Sequence, residues 1–318
     1  MIYNQFYQHN VFGGLGNNMS KSIKELIREE YVKCAKNPTY FFKKYCYIQH
    51  PKRGKILFDL YPFQEDVMGE LNNYRYNVIL KSRQLGISTL SAGYSLWMML
   101  FHDDKNVLVI ATKQEIAKNL VTKVRYMHDN LPSWLRGETI EDNKLSLRLG
   151  NGSQIKATSA SGDAGRSEAL SMLIIDEAAF IKGIDEICAA AQSTLLTGGK
   201  AIVLSTPNGV GNFFHKTWLK GENGDGWNPI KLHWTVHPER DKKWRKEQTQ
   251  LLGEKIAAQE CDCDFISSGY TVVDGTLLKW YEETHVQEPV EKRGFDANYW
   301  IWQQPNYSRD YIVVFFFF

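Results

Sequence analysis

The chain has 318 residues, of which 43% are hydrophobic and 23% charged, so its composition indicates a globular protein rather than a disordered one. No apolar run approaches the roughly 18 residues of a membrane-spanning helix, so we expect no membrane partner, and the polar first twenty residues lead us to expect no secretory signal. A net charge of +2 is too balanced to indicate a nucleic-acid partner by itself. Five scattered cysteines favour free thiols in a reducing compartment: Cys34, Cys46, Cys188, Cys261 and Cys263.

The first sixty residues predict an arm and two short helices. Residues 1–19 are rich in Gly and Asn, which favours a flexible arm. Ser22 and Glu25 form a capping-box pattern before a helical run that should stop at Asn37-Pro38. A second, aromatic helix is predicted over Tyr40–Ile48.

From about residue 76 short apolar runs alternate with longer amphipathic stretches. The predicted strands are Asn77–Leu80, Asn106–Ala111, Met172–Asp176, Ala201–Ser205 and Ile230–Trp234. The predicted helices are Ser88–Phe101, Gln114–Asp129, Asp185–Leu196 and Asn212–Leu219. Because the strands are apolar throughout, they indicate a mostly parallel sheet with helices on both faces, an α/β fold.

Two regions depart from that alternation. Lys144–Leu149 and Ser153–Thr158 alternate in polarity around a Gly-rich turn, which predicts an inserted hairpin. After about residue 235 the strand pattern stops, and Asp241–Leu252 and Glu254–Cys261 look helical and charged.

The run VILKSRQLGIST, residues 78–89, predicts a strand, a tight turn and the start of a helix. Backbone N–H groups of such a turn, together with the helix N-terminus, can bind phosphate groups. The usual motif is G-x-x-x-x-G-K-[ST], and Gly86 and Ser88 fit it. The alternative is a plain strand–turn–helix unit with solvated basic residues.

The motif departs from the standard one in its charge. Ile87 stands where the lysine belongs, and Lys81 stands where the first glycine belongs. The usual lysine acts as a point charge on the β- and γ-phosphates. Lys81 or Arg83 can supply that charge from the other end of the loop, and the sequence leaves both open.

A second segment supports the nucleotide interpretation. The apolar strand Met172–Asp176 ends in two carboxylates, Asp176 and Glu177. The first can help to hold Mg²⁺ and the second can polarise an attacking water. Since parallel strands direct their carboxyl ends at one crevice, this pair should face the turn before Ser88.

Weaker patterns have simpler explanations. Ser205 and Thr206 end a strand before Pro207-Asn208-Gly209, which by itself is most often just a turn. Cys261-Asp262-Cys263 has no second pair of ligands nearby and is interpreted as structural. The basic run Lys242–Lys246 can touch DNA phosphates, although a solvated helix face is the simpler interpretation.

In order and spacing, KSRQLGIS (81–88), IIDEAAF (174–180) and LSTPNG (204–209) resemble the ATPase part of the large terminase subunit. That family supplies the DNA-packaging motor of tailed bacteriophages. The segment DLYPFQ (59–64) resembles the family's adenine-binding glutamine motif, and a displaced lysine is itself typical of the family. The resemblance covers roughly residues 35–315 and implies a P-loop NTPase of the RecA-like (ASCE) type.

The resemblance implies a role for each matching residue. Gln64 would read adenine, Lys81 and Arg83 would contact phosphates, and Glu177 would be the catalytic carboxylate. ATP and Mg²⁺ are the implied cofactors, and the implied metal ligands are Ser88 and Asp176. Ser205 and Thr206 would couple hydrolysis to movement. The remaining implied nucleotide contacts are Ser82, Gln84, Leu85, Gly86, Ile87 and Thr89.

Arg166 matches the place where some members carry an arginine that acts on a neighbouring subunit's ATP. It lies in the Gly/Ala/Ser-rich stretch GDAGRS, which could present it to a partner, although an exposed arginine without a role is the alternative.

The resemblance also implies a division of the chain. Residues 1–58 would be an arm and lid helices, 59–234 the ATPase core, and 235–285 the second part of a small helical lid subdomain. We expect the two flanks to pack together beside the nucleotide cleft, because neither is long enough to bury a core alone. Residues 286–318 would be a linker and the start of an RNase H-like nuclease domain.

The function implied is an ATP-hydrolysing motor that moves double-stranded viral DNA into a procapsid. Its implied partners are that DNA, the portal protein, the small terminase subunit and further copies in a ring. It would work in the host-cell cytoplasm, docked transiently on the procapsid, and would not remain in the mature virion.

Two other classes of protein remain as alternatives. A helicase-like DNA-dependent ATPase needs a second RecA-like domain, yet fewer than 85 residues follow Trp234 and they lack alternating strands. A module that binds nucleotide without hydrolysis has no need of Glu177 beside Asp176.

Asp310–Val314 resembles the start of the family's first nuclease strand, and Phe315–Phe318 follow where the metal-binding aspartate is expected. We therefore expect this chain not to cut DNA.

Overall fold

The computed structural model describes residues 22–159, 169–188, 198–268, 280, 284 and 285. Its strands are β1 (Tyr47–His50), β2 (Gly54–Leu57), β3 (Tyr76–Lys81), β4 (Asn106–Ala111), β5 (Thr139–Asn143), β6 (Ser146–Leu149), β7 (Gln154–Ser159), β8 (Met172–Asp176), β9 (Lys200–Ser205) and β10 (Asn228–Leu232). Its helices are α1 (Ile23–Lys36), α2 (Pro38–Tyr45), α3 (Pro62–Asn73), α4 (Ile87–Phe101), α5 (Gln114–Asp129), α6 (Phe213–Glu222), α7 (Lys242–Leu252), α8 (Glu254–Ala257) and α9 (Phe265–Ser268). Short 3₁₀ turns cover Ala178–Phe180 and Trp234–Val236, and a π-helical turn covers Ala258–Asp262.

Eight strands form one sheet in the order β10-β3-β9-β8-β4-β7-β6-β5. The strands from β10 to β7 pair in parallel, whereas β6 pairs antiparallel with both β7 and β5. The predicted mostly parallel α/β sheet is therefore confirmed. The strands that end in Lys81 and Asp176 are separated by β9, so three strand ends with polar residues lie side by side.

Helices cover both faces of this sheet, as predicted. Alternate residues of the strands enter two separate apolar clusters, which is the period of a strand buried on both faces. One cluster joins Val107 and Ile174 to helices α4 and α5. The other joins Val203 to Phe214 and Trp218 of helix α6.

Four of the five predicted strands agree with the structure to within a residue at either end. The predicted strand Ile230–Trp234 is wrong in its bounds, because the strand is Asn228–Leu232 and Trp234 begins a 3₁₀ turn. Pro229 can stand in β10 because β10 is the edge strand of the sheet, where a missing N–H leaves no ladder bond unmade. The visible part of the helix predicted at Asp185–Leu196 ends at residue 188, and its remainder lies outside the described residues.

The predicted hairpin forms between β6 and β7, whose residues pair antiparallel from Ser146↔Lys156 to Arg148↔Gln154. It is not a separate insertion, because β7 also pairs in parallel with β4 and extends the central sheet. The sequence did not predict β5, whose five residues are all exposed at the sheet edge and therefore carry no apolar alternation.

The N-terminal helices pack onto α4 rather than standing apart from the core. The capping box of Ser22 and Glu25 begins α1 as predicted, and Asn37 ends α1 and caps α2. Trp97 donates a 2.9 Å hydrogen bond to the carbonyl of Cys34, and the ring of Phe42 occupies the space that a side chain at position 93 would need.

The aromatic helix predicted at Tyr40–Ile48 is wrong at its end, because it stops at Tyr45 and β1 begins at Tyr47. Strand β1 pairs with β2 in a small antiparallel hairpin. The predicted arm at residues 1–19 and all of residues 286–318 lie outside the described residues. No helix in the described ranges is long and apolar enough to cross a membrane.

Candidate active site at the carboxyl ends of the central strands

Three neighbouring central strands each end in a polar residue, and these carboxyl ends lie side by side. Lys81 ends β3, Ser205 ends β9 and Asp176 ends β8. Their register brings Leu80 opposite Ser205 and Asp176 opposite Leu204. Since the carboxyl ends of parallel strands form the ligand crevice in open α/β sheets, this edge is the candidate site.

The turn between β3 and α4 is an N–H-lined loop. Gln84 has φ of 58° and Gly86 has φ of 76°, both in the left-handed region, and α4 begins immediately afterwards at Ile87. Within the described ranges, no hydrogen-bond acceptor pairs with the backbone N–H groups of residues 84–88. Unpaired N–H groups beside a helix N-terminus are the chemistry that binds a phosphate.

Hydrogen bonds with segments distant in sequence fix the position of the loop. The N–H of Ser82 donates to the carbonyl of Leu232 at 2.8 Å, and the N–H of Arg83 donates to the carbonyl of Glu260 at 2.7 Å. The side-chain amide of Gln64 donates to the carbonyl of Leu85 at 2.9 Å. None of these bonds uses the backbone N–H groups of residues 84–88, which stay available to a ligand.

Lys81 and Arg83 lie in different surroundings. Lys81 is only 6% exposed, and its ammonium acts electrostatically on both Glu177 and Lys123. The Arg83 side chain is 68% exposed and lies 3.4 Å from the carboxylate of Glu260. Of the two cations, Lys81 is the one buried among the groups of the strand ends.

Asp176 and Glu177 form a two-carboxylate pair with a strained backbone. Glu177 has φ of 58° and ψ of 38°, a costly conformation for a residue with a side chain. An oxygen of Asp176 accepts the N–H of Glu177 at 3.0 Å, which holds the two residues in this turn. Burial raises the pKa of Glu177 above its ordinary value, while the ammonium of Lys81 opposes the rise and Asp176 adds to it.

The oxygen ligands available here fit Mg²⁺ bound together with a nucleotide. Asp176 supplies a buried carboxylate and Ser88 a hydroxyl in the first turn of α4. Among the described residues there is no group of three or more His, Cys, Asp or Glu that could hold a metal. Magnesium in such sites typically takes one or two protein oxygens and completes its shell with phosphates and water.

The loops after β8 and β9 are tied together. The hydroxyl of Ser205 accepts the N–H of Ala179 at 3.2 Å, and the side-chain amide of Asn208 donates to the carbonyl of Ala179 at 3.1 Å. Ser205 and Thr206 are both buried. These bonds join the turn that follows Glu177 to the strand end at Ser205.

Gln64 is buried against the loop, and both polar ends of its side chain are bonded within the chain. Its oxygen accepts the N–H of Tyr61 at 3.1 Å while its nitrogen donates to Leu85. The structure thus brings Gln64 to the loop between β3 and α4, where the partners of its side chain are backbone groups.

Two cations near the site were missed by the sequence reasoning. Arg240 donates hydrogen bonds to the loop from the segment after β10, and Lys123 on α5 lies within electrostatic range of Asp176 and Lys81. Burial lowers the pKa of Lys123, and Asp176 opposes this. Neither belongs to a recognisable motif, so no local sequence signal could have found them.

Other candidate residues fall elsewhere. Arg166 lies outside the described residues. Cys261 and Cys263 are buried, and burial raises the pKa of both thiols, as expected for structural cysteines. The basic run on α7 leaves Lys242, Lys243 and Lys246 exposed.

The chain is similar to phage terminases in both sequence family and fold. The family described as terminase large subunit, T4-like-virus type, N-terminal, matches residues 78–283. The ATPase domain of the large terminase of Thermus phage P74-26 has a TM-score of 0.53 at 21% identity, over 66% of this chain and 95% of that one. The HK97 bacteriophage large terminase has a TM-score of 0.53 at 19% identity, over 71% of this chain and 47% of that one.

A third solved structure carries a nucleotide. It is the large terminase of a thermophilic bacteriophage in complex with ADP, with a TM-score of 0.53 at 12% identity, over 64% of this chain and 52% of that one. This chain therefore spans about half the length of that terminase and of the HK97 protein. At these identities the likenesses show the fold.

A parallel sheet with an N–H-lined loop before a helix and two carboxylates at a nearby strand end defines an ATPase of the P-loop class. The family match identifies it further. The chain belongs to the T4-like family of large terminase subunits and matches their N-terminal part.

Proposed function

We propose that this chain hydrolyses ATP in a Mg²⁺-dependent reaction and uses the energy to move double-stranded viral DNA into a procapsid. The observation that carries the proposal is the meeting of two features at one edge of the sheet. One is the set of unpaired N–H groups at residues 84–88, and the other is the carboxylate pair Asp176 and Glu177.

In this proposal the loop binds the phosphates of ATP. The N–H groups of residues 84–88 and the N-terminus of α4 hold them, and Lys81 supplies the charge that the missing standard lysine would provide. Lys81 is favoured over Arg83 because it is buried beside the carboxylates, whereas Arg83 faces Glu260. The remaining proposed contacts to the nucleotide are Gln64, Ser82, Arg83 and Thr89.

Glu177 is the proposed catalytic carboxylate. Its side chain accepts a hydrogen bond from water and orients that water for in-line attack on the γ-phosphorus of ATP, whose bond to the β–γ bridging oxygen breaks. Ser88 and Asp176 would hold Mg²⁺, which neutralises phosphate charge. Partial burial raises the pKa of Glu177, and the ammonium of Lys81 opposes that rise and favours the charged carboxylate.

Ser205 and Thr206 are proposed to couple hydrolysis to movement. The bond between Ser205 and Ala179 supports this role because it joins the strand end of β9 to the turn that carries Glu177. The partners proposed for that movement are DNA, the portal protein, the small terminase subunit and a ring of identical chains. We propose that the complex works in the host-cell cytoplasm on the procapsid and leaves before the virion matures.

The division of the chain at residues 58, 234 and 285 remains part of the proposal. Its support is that residues after β10 reach the phosphate loop, as a lid would, through Arg240 and Glu260. An RNase H-like nuclease is proposed only for a longer protein, and no residue described here is assigned to it.

ATP turnover by the purified chain tests the proposal directly. We expect phosphate release that disappears with EDTA and increases when double-stranded DNA is added. A chain that releases no phosphate from ATP with Mg²⁺, with or without DNA and further terminase components, would contradict the proposal. Release that is stimulated only by single-stranded DNA would favour the helicase-like alternative.

A further inference from the structure

Arg240 donates three hydrogen bonds to the proposed phosphate loop, the turn between β3 and α4. One terminal nitrogen donates to the hydroxyl of Ser82 at 3.2 Å. The other donates to the carbonyl of Arg83 at 3.0 Å and to the carbonyl of Gln84 at 3.0 Å. A single guanidinium therefore donates hydrogen bonds to three consecutive residues of the loop.

These contacts determine where the loop's N–H groups point. In a planar trans peptide the C=O and the following N–H point in opposite directions. Holding the carbonyl of Arg83 therefore directs the N–H of Gln84 away from Arg240, and holding the carbonyl of Gln84 does the same for the N–H of Leu85. Both N–H groups belong to the set that has no acceptor in the described part of the chain.

The hydrogen bonds from Arg240 also hold Gln84 in a strained backbone conformation. Gln84 has φ of 58°, and a non-glycine residue keeps such a conformation only when its surroundings hold it there. Arg240 is itself supported, since its guanidinium lies 4.5 Å from the ring centre of Trp244 on helix α7. A planar guanidinium can stack on an aromatic ring and donate in several directions at once, which a lysine cannot do.

We propose that Arg240 is a positioning residue for phosphate binding: it acts through the peptide groups of the loop and orients the N–H groups of Gln84 and Leu85 toward the nucleotide. This inference rests on the proposed function, because it assumes that the loop binds phosphate. It also makes the segment after β10, through Trp244 and α7, a part of the nucleotide site.

The test compares Arg240→Ala and Arg240→Lys with the wild-type chain and with Lys246→Ala. The last variant removes an exposed cation from the same segment and is the matched control. ADP affinity is measured by calorimetry, ATP turnover by kcat and KM, and folding by the thermal midpoint. Amide hydrogen exchange of the loop peptide gives a further readout in the absence of nucleotide.

We expect Arg240→Ala to weaken ADP binding by about tenfold or more, the scale of one lost charge-assisted hydrogen bond. KM for ATP should rise, and exchange should quicken in the loop but not in β8. Arg240→Lys should recover part of the affinity, and Lys246→Ala should match the wild type.

An Arg240→Ala chain that binds ADP within about twofold of the wild type would overturn the inference, as would a loss of affinity matched by Lys246→Ala. If Arg240→Ala does not fold, Arg240→Lys decides, and unchanged ADP affinity in that variant has the same consequence. Failure of the wild-type chain to bind ADP would count against the proposed function instead.

Discussion

The side-chain amide of Gln64 donates a 2.9 Å hydrogen bond to the carbonyl oxygen of Leu85, one residue before Gly86, which caps the N-terminus of α4. A Cβ at Gly86 would lie 2.7 Å from the same nitrogen, and the φ of 76° there also requires glycine. The first turn of α3 is thus fitted closely onto the phosphate loop. Gln64 and Arg240 hold successive carbonyls of one loop from two different parts of the chain.

Gln64→Glu should weaken phosphate binding. The substitution keeps the shape but replaces a donor by a carboxylate oxygen beside the carbonyl of Leu85, which frees that peptide group. We expect a loss of about tenfold in ADP affinity, with Gln49→Glu on the exposed side of β1 as the control. If Gln64 reads adenine instead, the variant will lose its preference for ATP over GTP while phosphate affinity is retained.

Glu177→Gln should bind ATP but turn it over slowly. The amide keeps the size of the side chain and removes the charge that polarises water, so kcat should fall by on the order of 10²-fold or more. Phosphate release and nucleotide binding are measured in parallel, and Glu186→Gln on a nearby exposed position serves as the control. Near-normal turnover in Glu177→Gln would exclude its assignment as the catalytic carboxylate.

Lys81→Ala should abolish hydrolysis, whereas Arg83→Ala should have the smaller effect. The reason is that Lys81 is buried among the strand ends while Arg83 faces Glu260 and solvent. Adding Ile87→Lys to the Lys81→Ala chain returns a lysine to the standard position and should restore part of the activity. If Lys81→Ala is silent and Arg83→Ala is inactive, the phosphate charge comes from Arg83.

Arg166 is predicted to act between subunits. An arginine supplied in trans can stabilise transition-state charge and raise the rate by about 10³–10⁵. Mixing Arg166→Ala chains with Glu177→Gln chains under assembly conditions should therefore recover some ATP turnover, since each provides what the other lacks. Absence of recovery, when both chains assemble, would indicate a local role for Arg166.

Glu30 should make stability depend on pH. Burial by itself raises the pKa of Glu30, but hydrogen bonds from Lys44, Tyr40 and Tyr45 outweigh burial and lower the pKa to about 2. Because the folded value lies below the ordinary 4.5, the stabilisation is present above pH 4.5 and is lost as the pH falls toward 2.

The corresponding variant is Glu30→Gln, measured by urea unfolding. We expect it to lower the free energy of unfolding at pH 7 by about 1 kcal/mol, because solvent screens the pair with the half-exposed Lys44, and the difference from the wild type should shrink as the pH is lowered through 4. A difference that stays constant across this range would show that the charge of Glu30 contributes nothing.

The core elements could be predicted because their signals are local. Asn106–Ala111 and Gln114–Asp129 were predicted with their observed bounds, since one is apolar throughout and the other repeats every three to four residues. The loop at residues 81–88 and the pair Asp176 and Glu177 were found in the same way, from strand ends followed by a characteristic turn. Elements without such a signal were missed, including β5, which is exposed throughout.

The sequence by itself therefore determined the α/β class, the strand–turn–helix unit around residues 81–88 and the strand that ends at Asp176, because each depends on residues that are close together in the chain. Only the tertiary structure decided which cation is buried beside the carboxylates and what holds the phosphate loop. Arg240 lies 156 residues after Gln84, and Gln64 lies 21 residues before Leu85. Hydrogen bonds over such separations form only when the sheet order brings strand ends and connecting segments together, and no local pattern encodes that order.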